Sequence, residues 1–173
     1  MNNSKIKINT IAMAALIAAL YVVFTYLSFL FGLSGTNMIQ LRISEALCIL
    51  AAYTPAAIPG LTIGCVLANL LTGSLLWDVV FGSFATFIGA AFTYFFRKRK
   101  YAASLPPIIA NTLIVPFILM YVYGMPDGWT ILALCVFTGE IISCGVLGTM
   151  LVWMFEKTKS GQNIKNILIN RPF

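Results

Sequence analysis

Six side chains in this sequence could do chemistry where the surrounding residues are apolar: Arg42, Glu45, Asn69, Asp78, Asn111 and Glu140. Glu140 stands alone in "LCVFTGEIISCGVLG". An ionisable group at such a place costs about 2.5–3.5 kcal/mol to insert into a bilayer centre, and it persists mainly where it is useful. Arg42 and Glu45 stand three residues apart in "QLRISEAL" and could pair with each other, or Glu45 could answer a helix N-terminal dipole. Asp78, beside Trp77, could cap a helix or bind. Asn69 and Asn111 could glue helices together or hold a solute. Together these groups suit a small polar solute.

The chemistry that is missing narrows the field. The chain has no histidine, and so lacks the commonest general base and metal ligand. No nucleophile–base pair stands out, which argues against an enzyme, and no phosphate loop of the G-x-x-x-x-G-K-[ST] type occurs, so the chain cannot use ATP by itself. Cys48, Cys65, Cys135 and Cys144 lie in apolar runs without metal-like spacing and read as packing residues. Neither a metal nor a cofactor is expected.

The elements that must position these groups are membrane helices. Of 173 residues, 60% are hydrophobic and only 9% charged, outside the range of ordinary soluble domains. The apolar runs have the length that crosses a hydrocarbon core of about 30 Å, and strand alternation is absent. The first run, from Ile8 to Phe31, exceeds the about 7–15 residues of a signal-peptide core and reads as a retained span. The run from Leu41 to Leu71 is broken by Pro55 and Pro59, which stop one helix and let another begin.

Charge parity favours that break. With two crossings there, Lys5, Lys7, Arg97, Lys98, Arg99, Lys100, Lys157, Lys159, Lys165 and Arg171 all fall on the inner side, and only Arg42 of the Lys and Arg residues falls outside. The expectation is an all-α single integral membrane domain over 1–173, with six spans at about 8–31, 42–54, 59–72, 77–97, 105–124 and 129–156 and both termini cytoplasmic. The net charge of +6 then reports topology, and nucleic acid is not an expected partner. Trp77, Trp129 and Trp153 fall at interface depth, and the tail after Lys157 reads as a short surface helix.

Placed by depth, Arg42, Glu45, Asn69 and Asp78 lie toward the outer face. Glu140 lies about 16 Å down its helix, with Asn111 at a comparable level. This grading sketches a cavity that opens outward and ends near mid-membrane. A second surface is the first span, where Ala14 and Ala18, and Ala15 and Ala19, have small-xxx-small spacing that suits either internal packing or a partner helix.

In order along the chain, "QLRISEAL", "TPAAIPGL", "GCVLANLLTG", "WDVVFGSFAT", "LPPIIANTLIV", "YVYGMP" and "TGEIISCGVLG" resemble the successive motifs of the QueT family, from about Ile8 to Glu156. That family comprises the substrate-binding S components of energy-coupling factor (ECF) transporters assigned to queuosine precursors. The resemblance implies a six-helix S-component fold, a bacterial plasma-membrane location, and assembly with a transmembrane coupling subunit and two ATPase subunits. It also implies docking of the alanine stripe on the coupling subunit, and a loaded protein that topples in the membrane to release its substrate inside. The implied ligand is 7-aminomethyl-7-deazaguanine or a relative. Glu140 is then assigned to the pyrimidine edge, Glu45 or Asp78 to the ammonium, Arg42, Asn69 or Asn111 to the ring carbonyl, and Trp77, Tyr121 or Tyr123 to stacking, with the two ends open to exchange. The alternatives are an S component for another small vitamin-like cation and a membrane assembly protein without transport function.

Overall fold

The computed structural model describes residues 3–33 and 41–169, with side chains from residue 8 onward. The side chains of Lys5 and Lys7, and Arg171 entirely, lie outside the described residues, so the inner-side placement expected for them does too. The elements are α1 (Asn3–Leu30), a 3-10 helix (Ile43–Ala52), α2 (Ala57–Leu71), α3 (Leu76–Phe95), a short 3-10 turn (Lys100–Ser104), α4 (Leu105–Tyr121), α5 (Trp129–Glu140), a π-helical segment (Ile141–Leu147), α6 (Gly148–Lys157) and α7 (Lys159–Ile169). Among the described residues, four stretches are long and apolar enough to cross a membrane: Ile8–Leu30, Leu76–Phe95, Lys100–Tyr121 and Trp129–Lys157. Ile43–Ala52 and Ala57–Leu71 are shorter apolar helices.

The break at the prolines is present, but the element before it is wound differently from the α-helix expected over 42–54. Ile43–Ala52 is a 3-10 helix, which rises about 2.0 Å per residue and so reaches about 20 Å in ten residues where an α-helix would reach about 15 Å. It occupies the middle of the bundle: Ser44 through Ala52 are all buried, and α1, α2, α3, the π segment and α6 pack around it. Small residues make that possible, since Ala46, Cys48, Ala51 and Ala52 let neighbouring backbones approach. Pro59 falls in the first turn of α2, where its missing N–H leaves no helical bond unmade.

The alanine stripe divides in two. A Cβ built on Gly60 of α2 would lie 2.7 Å from the Ala14 carbonyl oxygen, and one on Gly64 would lie 3.0 Å from Ala18 Cα. The Gly60-x-x-x-Gly64 face of α2 is therefore seated on the Ala14/Ala18 face of α1, a backbone-to-backbone contact that only glycine permits. Ala15 and Ala19 point away from this contact and are exposed.

The last span is continuous in direction but changes winding at Glu140, where α5 gives way to the π segment before α6 resumes. At its far end Glu156 accepts from Lys100 Nζ and Lys165 Nζ, each at 2.6 Å, and Gln162 Nε2 donates to its carbonyl at 3.1 Å. These bonds tie the expected surface helix, α7, to the bundle.

Candidate functional site

The site is built on one face of α1. Tyr21, Thr25 and Ser28 follow Ala14 and Ala18 at helical spacing, so the face that seats α2 also seats the 3-10 helix. Ser28 Oγ accepts the backbone N–H of Ile43 at 3.0 Å, and Thr25 Oγ1 bonds Ser44 Oγ at 2.7 Å. These two bonds fix the start of the 3-10 helix and bring Glu45 against Tyr21, whose hydroxyl donates to Glu45 Oε1. With three residues per turn, Glu45 and Cys48 eclipse each other, and the Cys48 thiol donates to Glu45 Oε2 at 3.2 Å. Thr86 of α3 approaches Oε1 at 3.4 Å.

Glu140 lies beside this group, so Glu45, expected toward the outer face with Arg42 and Asp78, stands instead with the acid expected near mid-membrane. Asn111 Nδ2 of α4 donates to Glu140 Oε1 at 3.0 Å, which joins the two residues expected at equal depth. The Cys144 thiol, one turn further on, lies 3.3 Å from Glu140 Oε2 and 3.2 Å from the Glu45 carbonyl oxygen. Ligand atoms of Glu45, Glu140 and Cys144 all lie within 4.8 Å of one another, the one such group among the described residues. Two carboxylates and a thiol fall short of the four donors of a closed zinc site, and each already has a hydrogen-bonding neighbour. Both acids lack an ion pair among the described residues.

Toward the end of the bundle where α3 begins, a second group forms. Arg42 has extended backbone and does not pair with Glu45; its guanidinium reaches Asp78 Oδ2 at 3.8 Å. Tyr123 donates to the same oxygen at 3.0 Å. Tyr123 is aimed there by the turn that ends α4, where Gly124 takes φ +65°, a region costly for residues with a Cβ, and the Met125 N–H closes on the Leu119 carbonyl at 3.1 Å. Asn69 of α2 is buried, and among the described residues its side-chain Nδ2 makes a long bond of 3.6 Å to Cys65 Sγ.

Asp78, Gly82 and Thr86, all buried, repeat every four residues on α3 and link the two groups into one polar column, which is half-buried at Arg42 and Tyr123 and buried beyond them. The column runs from Arg42, Asp78 and Tyr123 through Asn69 to Thr86, Glu45, Glu140 and Asn111. Of the residues singled out from sequence, Trp77 and Tyr121 are not brought into it: Trp77 is 60% exposed and stacks on Phe81, and Tyr121 is 76% exposed and stacks on Phe117. Sequence reading missed Tyr21, Thr86, Cys48, Cys65 and Cys144 as members. A signal was present for the thiols, since each stands three or four residues from an acid or amide of the column: Glu45 and Cys48, Cys65 and Asn69, Glu140 and Cys144.

The outside of the bundle carries an apolar concavity of a different kind. A groove of about 460 Å³ between α3 and α4 is lined by Phe81, Phe84, Leu113 and Phe117, with almost no polar surface, and lies on the outside of the bundle. Such a surface suits lipid tails and offers a polar solute no donor or acceptor.

Comparison with known proteins covers most of the chain. Over residues 11–157 it matches the family described as QueT transporter. No curated protein and no solved structure matches it.

Proposed function

The chain belongs to the QueT transporter family, a family of membrane transporters, and from that premise we propose that it is the substrate-binding S component through which a bacterial cell takes up a queuosine precursor, 7-aminomethyl-7-deazaguanine or a relative. Six crossings, with both termini cytoplasmic, complete this reading. A transmembrane coupling subunit and two ATPase subunits supply the energy that this chain has no motif to harvest.

The observation that carries the proposal is the buried polar column, with acids at both ends. Glu140 and Glu45, two carboxylates with side-chain donors already aimed at them, mark its deep end. A guanine-like edge presents an N–H and an amino group side by side and replaces such donors one for one. Asp78 marks the other end, where a guanidinium at 3.8 Å is a loose partner that a ligand ammonium can displace. The ligand therefore exchanges existing bonds for its own. This explains how acids can be held in an apolar bundle and still select a cation.

Ala15 and Ala19 are the part of the alanine stripe left for the coupling subunit, since Ala14 and Ala18 face α2. The test is a competition panel. Purified protein is heated in detergent with 7-aminomethyl-7-deazaguanine, its nitrile precursor, guanine, or a set of B vitamins. Stabilisation greatest with the aminomethyl compound supports the assignment. Stabilisation by a vitamin alone transfers the protein to another substrate, and stabilisation by none of them leaves a scaffold whose acids only hold helices together.

A further inference from the structure

Among the described residues, a Cβ on Gly60, Gly64, Gly82, Gly89 or Gly161 would meet other parts of the bundle at 3.2 Å or closer, and Gly82 differs from the rest. A Cβ on Gly60, Gly64, Gly89 or Gly161 would come within 2.1–2.8 Å of an atom of a neighbouring helix, chiefly backbone, so these glycines are there to let helices touch. A Cβ on Gly82 would meet no backbone: its nearest neighbours are Asp78 Oδ1 at 3.2 Å and Asn69 Nδ2 at 3.4 Å, the ends of two buried polar side chains. Glycine in a helix interior is unfavourable relative to alanine, and no neighbouring backbone calls for it here, since the side-chain ends of Asp78 and Asn69 can give by the few tenths of an ångström that a Cβ needs.

We infer that Gly82 is a specificity-determining residue: its bare Cα is the platform on which the flat ring of the ligand lies, midway down the polar column. This rests on the proposed function and adds the element that selects for flatness. The position follows from α3, where Gly82 is one turn from Asp78 and one turn from Thr86, the residue that touches Glu45. A ligand with its ammonium at Asp78 and its ring edge at the deep carboxylates must pass this point. Asn69 flanks the platform with a side-chain amide whose partner among the described residues is a thiol at 3.6 Å, and such an amide can donate to a ring carbonyl. A glycine at such a point lets a ring lie directly against backbone, at a separation that any Cβ would increase.

The test compares Gly82→Ala with Gly60→Ala. Each purified variant is melted without ligand, then titrated with 7-aminomethyl-7-deazaguanine and with 7-deazaguanine, which has the ring but not the arm. Gly82→Ala is expected to melt at or above the wild-type temperature and to bind both compounds about tenfold or more weakly, the scale on which one surplus methyl group acts in a fitted site. Gly60→Ala is expected to melt lower. Wild-type affinity in Gly82→Ala overturns the inference, and so does a melting loss equal to that of Gly60→Ala, which would make Gly82 another packing glycine. Weakening confined to the compound with the arm also overturns it, because the added methyl would then act by displacing Asp78. If the wild type binds neither compound, the functional assignment itself has failed and the platform has no occupant.

Discussion

Gly64→Ala places one methyl group where the architecture allows none. Its Cβ would lie 2.8 Å from Tyr21 Cβ and 3.0 Å from both Cα and the carbonyl oxygen of Ala18. Two of these three neighbours are backbone, so a change of rotamer cannot relieve the contact, and α1 and α2 must part by several tenths of an ångström. Overpacking of this kind costs about 1–3 kcal/mol. The displacement also acts on Tyr21, whose hydroxyl holds Glu45. Interhelical hydrogen bonds in membranes average about 0.6 kcal/mol and reach about 1.7, and a buried bond to a carboxylate belongs near the upper value. The expected total is about 2–4 kcal/mol, a fall in melting temperature of about 4–16 °C for a chain of this size. The assay is a double-mutant cycle read by thermal unfolding in detergent. Tyr21→Phe alone should cost about 1–2 kcal/mol, and less than half of that once Gly64→Ala has already moved the tyrosine. If the two changes add without coupling, the close approach of α1 and α2 is not what positions Tyr21 on Glu45, and the account of how the site is held is wrong.

Two further predictions follow from particular contacts. Replacing Ala15 and Ala19 by leucine, on the exposed side of α1, should leave the melting temperature unchanged and abolish co-purification with the coupling subunit, whereas leucine at Ala14 and Ala18 should destabilise the protein outright. Glu156→Gln should free α7, seen as faster proteolysis between Lys157 and Lys165, with a stability loss of only about 0.5–1 kcal/mol because both ion pairs are about a quarter exposed, and with ligand affinity unchanged.

Much of the column was legible because burial in an apolar run makes a lone polar residue conspicuous. Glu140 and Asn111 lie on different helices, yet simple depth counting put them level, and they bond. The proline break was legible for the same reason: missing donors act locally. What sequence could not supply was winding and azimuth. Nothing in "ISEALCILAA" separates a 3-10 from an α-helix, because the choice is made by the elements packed around it. Arg42 was open to pairing with Glu45 on spacing alone; extended backbone at Arg42 instead sends the guanidinium to Asp78. Trp77 and Asp78 are neighbours in sequence, but on a helix adjacent side chains point about 100° apart, so one stacks on Phe81 toward the outside while the other is buried. Tyr21 gave no sign of its role because its partner arrives from a different helix.

Calorimetric titration of wild type and Glu140→Gln with 7-aminomethyl-7-deazaguanine tests most directly whether the buried column is a binding site. Glutamine keeps an acceptor for Asn111 and so preserves the helix contact, but it cannot accept two parallel donors from a ring edge. The account predicts saturable one-to-one binding by the wild type and affinity lower by about tenfold or more in the variant, at equal melting temperature. Equal affinity in the two proteins would contradict it.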